Sequence, residues 1–119
     1  MKHHRKIRKF GRVRNQRRAL MQGLATSFFI ARRIRTTEAK ARELRPFVER
    51  AITRGRNPTL ANRRLLCAQF SEATTTRIIA CAAELKDRRG GYTRVVKLGV
   101  RASDSACLAL LESVAYQGS

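Results

Sequence analysis

The sequence predicts a two-layer α+β domain, with three to four helices packed on a small mixed sheet and a basic extended arm in front of them. Three observations carry that expectation. Apolar residues recur at helical spacing over most of the stretch from Arg14 to Leu85. After Gly90-Gly91 the period drops to two, and a polar turn divides the C-terminal stretch into the two halves of a hairpin. Between the first two helical patterns stands RIRTT at 33–37, a short strand that could pair with that hairpin.

The arm comes first. Of the first eighteen residues nine are Lys or Arg and none is acidic, and the first acid in the chain is Glu38. Residues 1–13 therefore read as a binding arm and residues 14–119 as one globular domain, since 119 residues suffice for a single modest core. A helix is predicted from about Arg14, with Leu20, Gly23, Leu24, Ser27, Phe28 and Ala31 on one small-residue face. RIRTT then gives a strand, and Thr36 or Thr37 caps a second helix with Glu38 in its first turn.

That second helix has Leu44, Phe47, Val48, Ala51 and Ile52 as its apolar stripe and Gly55 as its stop. Pro46 removes a backbone donor and crowds the carbonyl of Arg42, which predicts a kink or a split. Asn57-Pro58 reads as a cap followed by proline at the first helical position, opening a third helix with Leu65, Leu66 and Phe70 turned inward. Ser71 caps a fourth helix carrying Ile78, Ile79, Ala82 and Leu85. In YTRVVKLGVR, strict alternation puts Val96, Leu98 and Val100 on one face and Thr93, Val95, Lys97 and Arg101 on the other. ASDSA at 102–106 is the turn and CLALLESV at 107–114 the return strand.

The charge balance points to the partner. Twenty-seven basic against eight acidic residues leave a formal +19, concentrated towards the N-terminus; from Ala102 onward there is no Lys or Arg. Such a surplus repels itself and attracts a polyanion, nucleic acid above all. No stretch approaches the roughly 18 apolar residues of a membrane span, and no secretory h-region comes after the basic start. Cys67, Cys81 and Cys107 form no CxxC pair and sit among apolar neighbours, as reduced thiols of a core would.

The candidate contacts are chiefly the cations. In the arm they are Lys2, His3, His4, Arg5, Lys6, Arg8, Lys9 and Arg12. The first helix adds Arg14, Asn15, Arg17, Arg18 and Arg32, and the strand with the following turn adds Arg33, Arg35 and Lys40. Arg63 and Arg64 come from the third helix. Arg88, Arg89, Tyr92, Arg94, Lys97 and Arg101 come from the segment around the hairpin. Arg grips phosphate in a bidentate way and stacks on bases, and each neutralised phosphate releases counterions. No helix-turn-helix, zinc-finger or RNP-type pattern is visible, which favours shape and backbone recognition of a folded RNA. GGYTRVVK lacks the Lys-Ser/Thr ending of a P-loop and precedes a strand. His3, His4 and the three cysteines match no metal spacing, and no nucleophile–base pairing can be assembled, so neither a metal, a cofactor nor an enzyme activity is expected.

RRALMQGLATSFF, RIRTTEAKARELRPFVERAIT, NRRL and RRGGYTRVVKLGVRASDSA, in this order and spacing, resemble the bacterial large-subunit ribosomal protein numbered seventeen. The resemblance covers nearly the whole chain, the early His4-Arg5 included. Pro46 in the second helix and the three cysteines depart from the family's pattern. The resemblance implies helices against a small mixed sheet and a structural, non-enzymatic role on the cytoplasmic ribosome. It implies binding of 23S-type rRNA near the exit side of the peptide tunnel, beside other ribosomal proteins, without a membrane or a homo-oligomer. The alternative on charge and size alone is a nucleoid-type architectural DNA-binding protein, dimeric, with the charge-poor hairpin as a dimer edge.

Overall fold

In a computed structural model the chain is described from residue 13 to residue 116. The order is α1 (Arg14–Ala31), β1 (Arg33–Thr37), α2 (Glu38–Gly55), α3 (Leu60–Gln69), α4 (Glu72–Glu84), β2 (Thr93–Val100) and β3 (Cys107–Ser113). The α+β class holds. The sheet, however, is antiparallel throughout rather than mixed: β3 lies in the middle and pairs antiparallel with both β1 and β2. β2 and β3 form the hairpin, and β1 runs antiparallel on β3's other side, so no strand of this sheet neighbours a parallel one. Of the hairpin read as a possible dimer edge, β3 is covered on both sides, while β2 stands at the edge of the sheet.

Local chemistry sets the helix starts. The Thr37 hydroxyl accepts from the Lys40 N–H and Glu38 occupies the first turn of α2; the Ser71 hydroxyl does the same for Thr74 at α4. At α3 the cap is Thr59, which accepts from Asn62 N–H, not Asn57. Pro58 ends up one position before the cap, and the Asn57 carbonyl instead accepts from Thr59 N–H and Asn62 Nδ2. α2 continues through Pro46 without being split. Pro46 is exposed, so the carbonyl left without its donor can meet water. α1 closes on Arg32, a non-glycine residue at φ 67 whose N–H bonds back to Phe28 O. Its guanidinium donates to Phe29 O at 2.7 Å and faces Glu84 at 3.4 Å, contacts that offset the roughly 1–2 kcal/mol of that backbone conformation.

α2 is the hub: it packs on all three strands and on α1, α3 and α4. Leu44, Val48 and Ile52 are fully buried beneath it, with Phe28 and Phe29 from α1, Ile78 and Ala82 from α4, and Ala109 and Leu111 from β3. Edge-to-face ring pairs run Phe28–Phe29 (5.2 Å), Phe29–Phe70 (6.3 Å) and Phe70–Phe47 (6.0 Å), joining α1, the end of α3 and α2. The buried face of α1 is Ala25, Phe28 and Phe29, with Met21 and Leu24 half-buried; Gly23, Ser27 and Ala31 of the expected small-residue face lie outside it. The aromatic pair has more apolar area to hide, and it sets the helix's rotation. Leu65 is likewise turned out, 48% exposed, while Leu66 is buried. Of the thiols only Cys81 is in the core; Cys67 and Cys107 are exposed.

Register explains the two faces of the sheet. Ile34, Leu111 and Val95 share one face, towards the helices; Arg33, Glu112 and Arg94 share the other. Strict alternation fails in β2, because Lys97 pairs with Ala109 and Gly99 with Leu108, skipping Leu98. Gly99 carries the bulge at φ +106. The inserted residue puts Val96 and Val100 on opposite faces, correcting their expected shared face, and all three of Val96, Leu98 and Val100 are exposed.

Candidate nucleic-acid interface

The cations of the described residues fall into distinct groups, each positioned by its element. Lys2, His3, His4, Arg5, Lys6, Arg8, Lys9 and Arg12 lie outside the described residues. Arg14, Asn15 and Arg18 are exposed on the first turns of α1, and Arg17 is half-buried. The three arginines border a recess of about 200 Å3 with Met21 and Phe47, so the start of α1 leans on α2. Arg63 and Arg64 project from α3, and Arg88 and Arg89 from the loop before β2; all four are exposed. Arg88 reaches back to Gly91 O at 3.5 Å.

Several predicted contacts are drawn inward or paired. Arg32 is committed to closing α1 as described. Tyr92 is 2% exposed, and its hydroxyl accepts from Arg56 at 2.7 Å, so it is a core residue and not a surface contact. Arg56 completes that arrangement by donating to Lys86 O. Across the open face of the sheet Glu112 serves two arginines: Arg94 Nε at 2.6 Å and Arg33 Nε at 4.0 Å. Arg33 also stands over the Tyr116 ring, and contact with Tyr116, then more weakly with Glu112, raises the pKa of its guanidinium. Arg35 is exposed on the same face with no acid against it among the described residues. Arg101 forms a two-pronged pair with Asp104 in the hairpin turn. That hydrogen bond, then the Ala106 N–H, holds the Asp104 carboxyl down to about 2.

Lys97 has a different setting. With Arg42, Arg45 and Val95 it lines a cleft of about 370 Å3 between α2 and β2. Arg42 is held at Nε by Glu38 at 3.0 Å and Arg45 at Nε by Glu49 at 3.5 Å. Lys40, half-buried, lies one half-turn earlier on α2. Sequence reasoning left Arg42 and Arg45 out, because Glu38 and Glu49 sit four residues from them and suggested simple surface pairs. The signal that could have found them is their i,i+3 spacing, which puts both on one side of α2.

Among the described residues no group of three His, Cys, Asp or Glu side chains gathers in metal-binding distance, and no helix is long and apolar enough to cross a membrane. The described residues place two carboxylates, Glu84 and Asp87, at a recess of about 200 Å3 beside Arg88, with Glu84 turned to Arg32. Elsewhere they offer separated clusters of guanidinium and ammonium groups on a rigid frame, suited to a ligand with several anionic groups at fixed distances.

Comparison with known proteins gives a consistent set of likenesses. The family model described as Ribosomal protein L17 matches residues 20–114. The chain is 45% identical over 116 residues to "Large ribosomal subunit protein bL17" of Novosphingobium aromaticivorans, covering 96% of this chain and 82% of that one. It is 42% identical to the protein of the same name from Sphingopyxis alaskensis, covering 96% and 84%. With the Fusobacterium nucleatum protein of that name the identity is 41%, covering 96% of this chain and 100% of its counterpart.

Proposed function

Because this chain belongs to the ribosomal protein L17 family, we propose that it is a structural constituent of the large ribosomal subunit, holding folded rRNA through Arg and Lys contacts to phosphate. The observation that supports this most is similarity over 96% of the chain to proteins named for that subunit. Physical support comes from the +19 charge, which makes the free protein a poor partner for itself and a good one for a polyanion. The arm of residues 1–13, the first turns of α1, α3, the loop at 88–89 and the open sheet face supply the contacts; residues 14–119 are the globular anchor.

In this reading the RNA is of the 23S type, the site is near the exit side of the peptide tunnel, and the neighbours are other large-subunit proteins on the cytoplasmic ribosome. The protein acts as a single copy and catalyses nothing. A ribosome needs such a part because converging phosphates repel one another unless cations on a rigid scaffold stand between them.

The test is sedimentation. A tagged copy should move with large-subunit particles at modest ionic strength and leave them as salt is raised. Migration with the nucleoid, or at the top of the gradient at every salt concentration, would overturn the proposal.

A further inference from the structure

We propose that the cleft between α2 and β2 is a ribose-phosphate site, in which RNA backbone phosphate lies between the Arg42 and Arg45 guanidiniums and the Lys97 ammonium. This inference rests on the rRNA-binding reading and assigns it a seat that joins Lys97 to two arginines outside the candidate residues named from the sequence.

The cleft exists because two rows of side chains run past each other. Along β2, Thr93, Val95 and Lys97 alternate onto the face that α2 covers. Along α2, Arg42, Arg45 and Glu49 succeed one another on one side of the helix. Glu49 ties the rows together, its Oε2 accepting from Thr93 Oγ1 at 2.8 Å and Thr93 N–H at 3.2 Å. From Glu49 back to Arg42 the helix rises about 10 Å, and from Thr93 on to Lys97 the strand advances about 13 Å. The two arms therefore reach a similar distance from their shared anchor. At that distance the helix no longer closes over the strand, since Val95 is half-buried and Lys97 exposed.

The chemistry of the lining selects the ligand. Three of the four lining side chains are cationic, none is acidic, and the fourth is the apolar Val95. The acids nearby are already engaged: Glu38 accepts from Arg42 Nε at 3.0 Å, and Glu49 faces Arg45 Nε at 3.5 Å while accepting from Thr93. About 370 Å3 exceeds the need of a bare anion. A ribose-phosphate unit supplies both an anion for the cations and a sugar face for Val95. Among the described residues no aromatic ring lines the cleft on which a base could stack, so recognition there is of backbone rather than sequence.

The experiment uses the full chain and protein-free large-subunit rRNA, titrated across salt. The variant R42Q/R45Q/K97Q is compared with R50Q/R77Q/K86Q, which removes the same charge from surfaces outside the cleft. The cleft variant should bind about tenfold or more weakly than the control variant, with a log–log salt slope shallower by about 1 to 2. In parallel, acetic anhydride should modify Lys97 less in the complex than in the free protein, while Lys86 is modified equally in both. This second readout does not depend on a variant folding. Equal affinity and slope for the two variants, or equal acetylation of Lys97 with and without RNA, would overturn the cleft while wild-type binding keeps the broader reading intact. Protection of Lys97 by inorganic phosphate at matched ionic strength, with none from rRNA, would assign the cleft to a free anion and overturn the inference too. A wild-type chain that ignores the rRNA would overturn both.

Discussion

Gly55 is the last residue of α2, buried, where a Cβ would lie 3.1 Å from Ile78 Cγ2 and 3.3 Å from both Ala82 Cβ and the Ile78 carbonyl oxygen. Alanine gains about 1 kcal/mol over glycine in a helix, but here α4 passes too closely, and its backbone cannot swing aside as a side-chain tip can. G55A should therefore lose about 1–2 kcal/mol net in urea unfolding; equal or greater stability would show that α4 yields. The sequence marked Gly55 only as a helix stop, since its close approach depends on α4, a partner outside every local pattern. Cys81 is the second residue whose setting is tertiary. Burial pushes its thiol from 9.0 up to about 11, against the opposing pull of Arg32 and with a smaller push from Glu84. A raised folded value means the neutral thiol's contribution is whole below pH 9 and is lost as pH climbs through 11. Wild type should lose stability across that window more steeply than C81A, by unfolding in buffers from about pH 8 to 11. Parallel curves would remove Cys81 as the cause.

At the scale of elements, the features written locally were legible and those set by packing were not. Thr37 and Ser71 announced α2 and α4 because a cap needs only an oxygen at the right place before the helix. RIRTT announced β1, and the double glycine announced the change of period. The rotation of α1, the outward turn of Leu65 and the bulge at Gly99 were not legible, because each is settled by what lies across the interface. The candidate site divides in the same way. Cations exposed on α1 and α3 could be read from helical spacing, whereas burial of Tyr92 and the meeting of Arg42 and Arg45 with Lys97 needed the α2–β2 crossing. Glu49 holds that crossing. E49A leaves the Thr93 N–H and hydroxyl without their acceptor in a residue only 2% exposed. The expected loss is about 1.5–3 kcal/mol in denaturant unfolding, against less than about 1 kcal/mol for E38A, whose i,i+4 pair is on the surface. Similar losses for the two would mean the α2–β2 tie is not special.

For the whole molecule the decisive quantity is how its cations divide between arm and frame. Glu38, Glu49, Glu84, Asp104 and Glu112 each face an arginine, so five of the eight acids hold side chains of the frame, and the net +19 remains for a partner. If about eight phosphates are engaged, the log–log salt slope for rRNA should lie at roughly −5 to −7. Six Lys and Arg precede Val13, at positions 2, 5, 6, 8, 9 and 12. Should every one sit on phosphate, converting all six to Gln would make the slope shallower by about 4 to 5, leaving the frame with only about two contacts. The clusters on α1, α3, the sheet and the cleft are too many for so small a remainder. The expected result is therefore an intermediate loss, about 2 to 4, with the neutralised chain still bound at low salt. An unchanged slope would take the arm out of the interface. Complete loss of salt dependence would reduce the frame to a passive anchor and leave its ordered arginines without a function in binding.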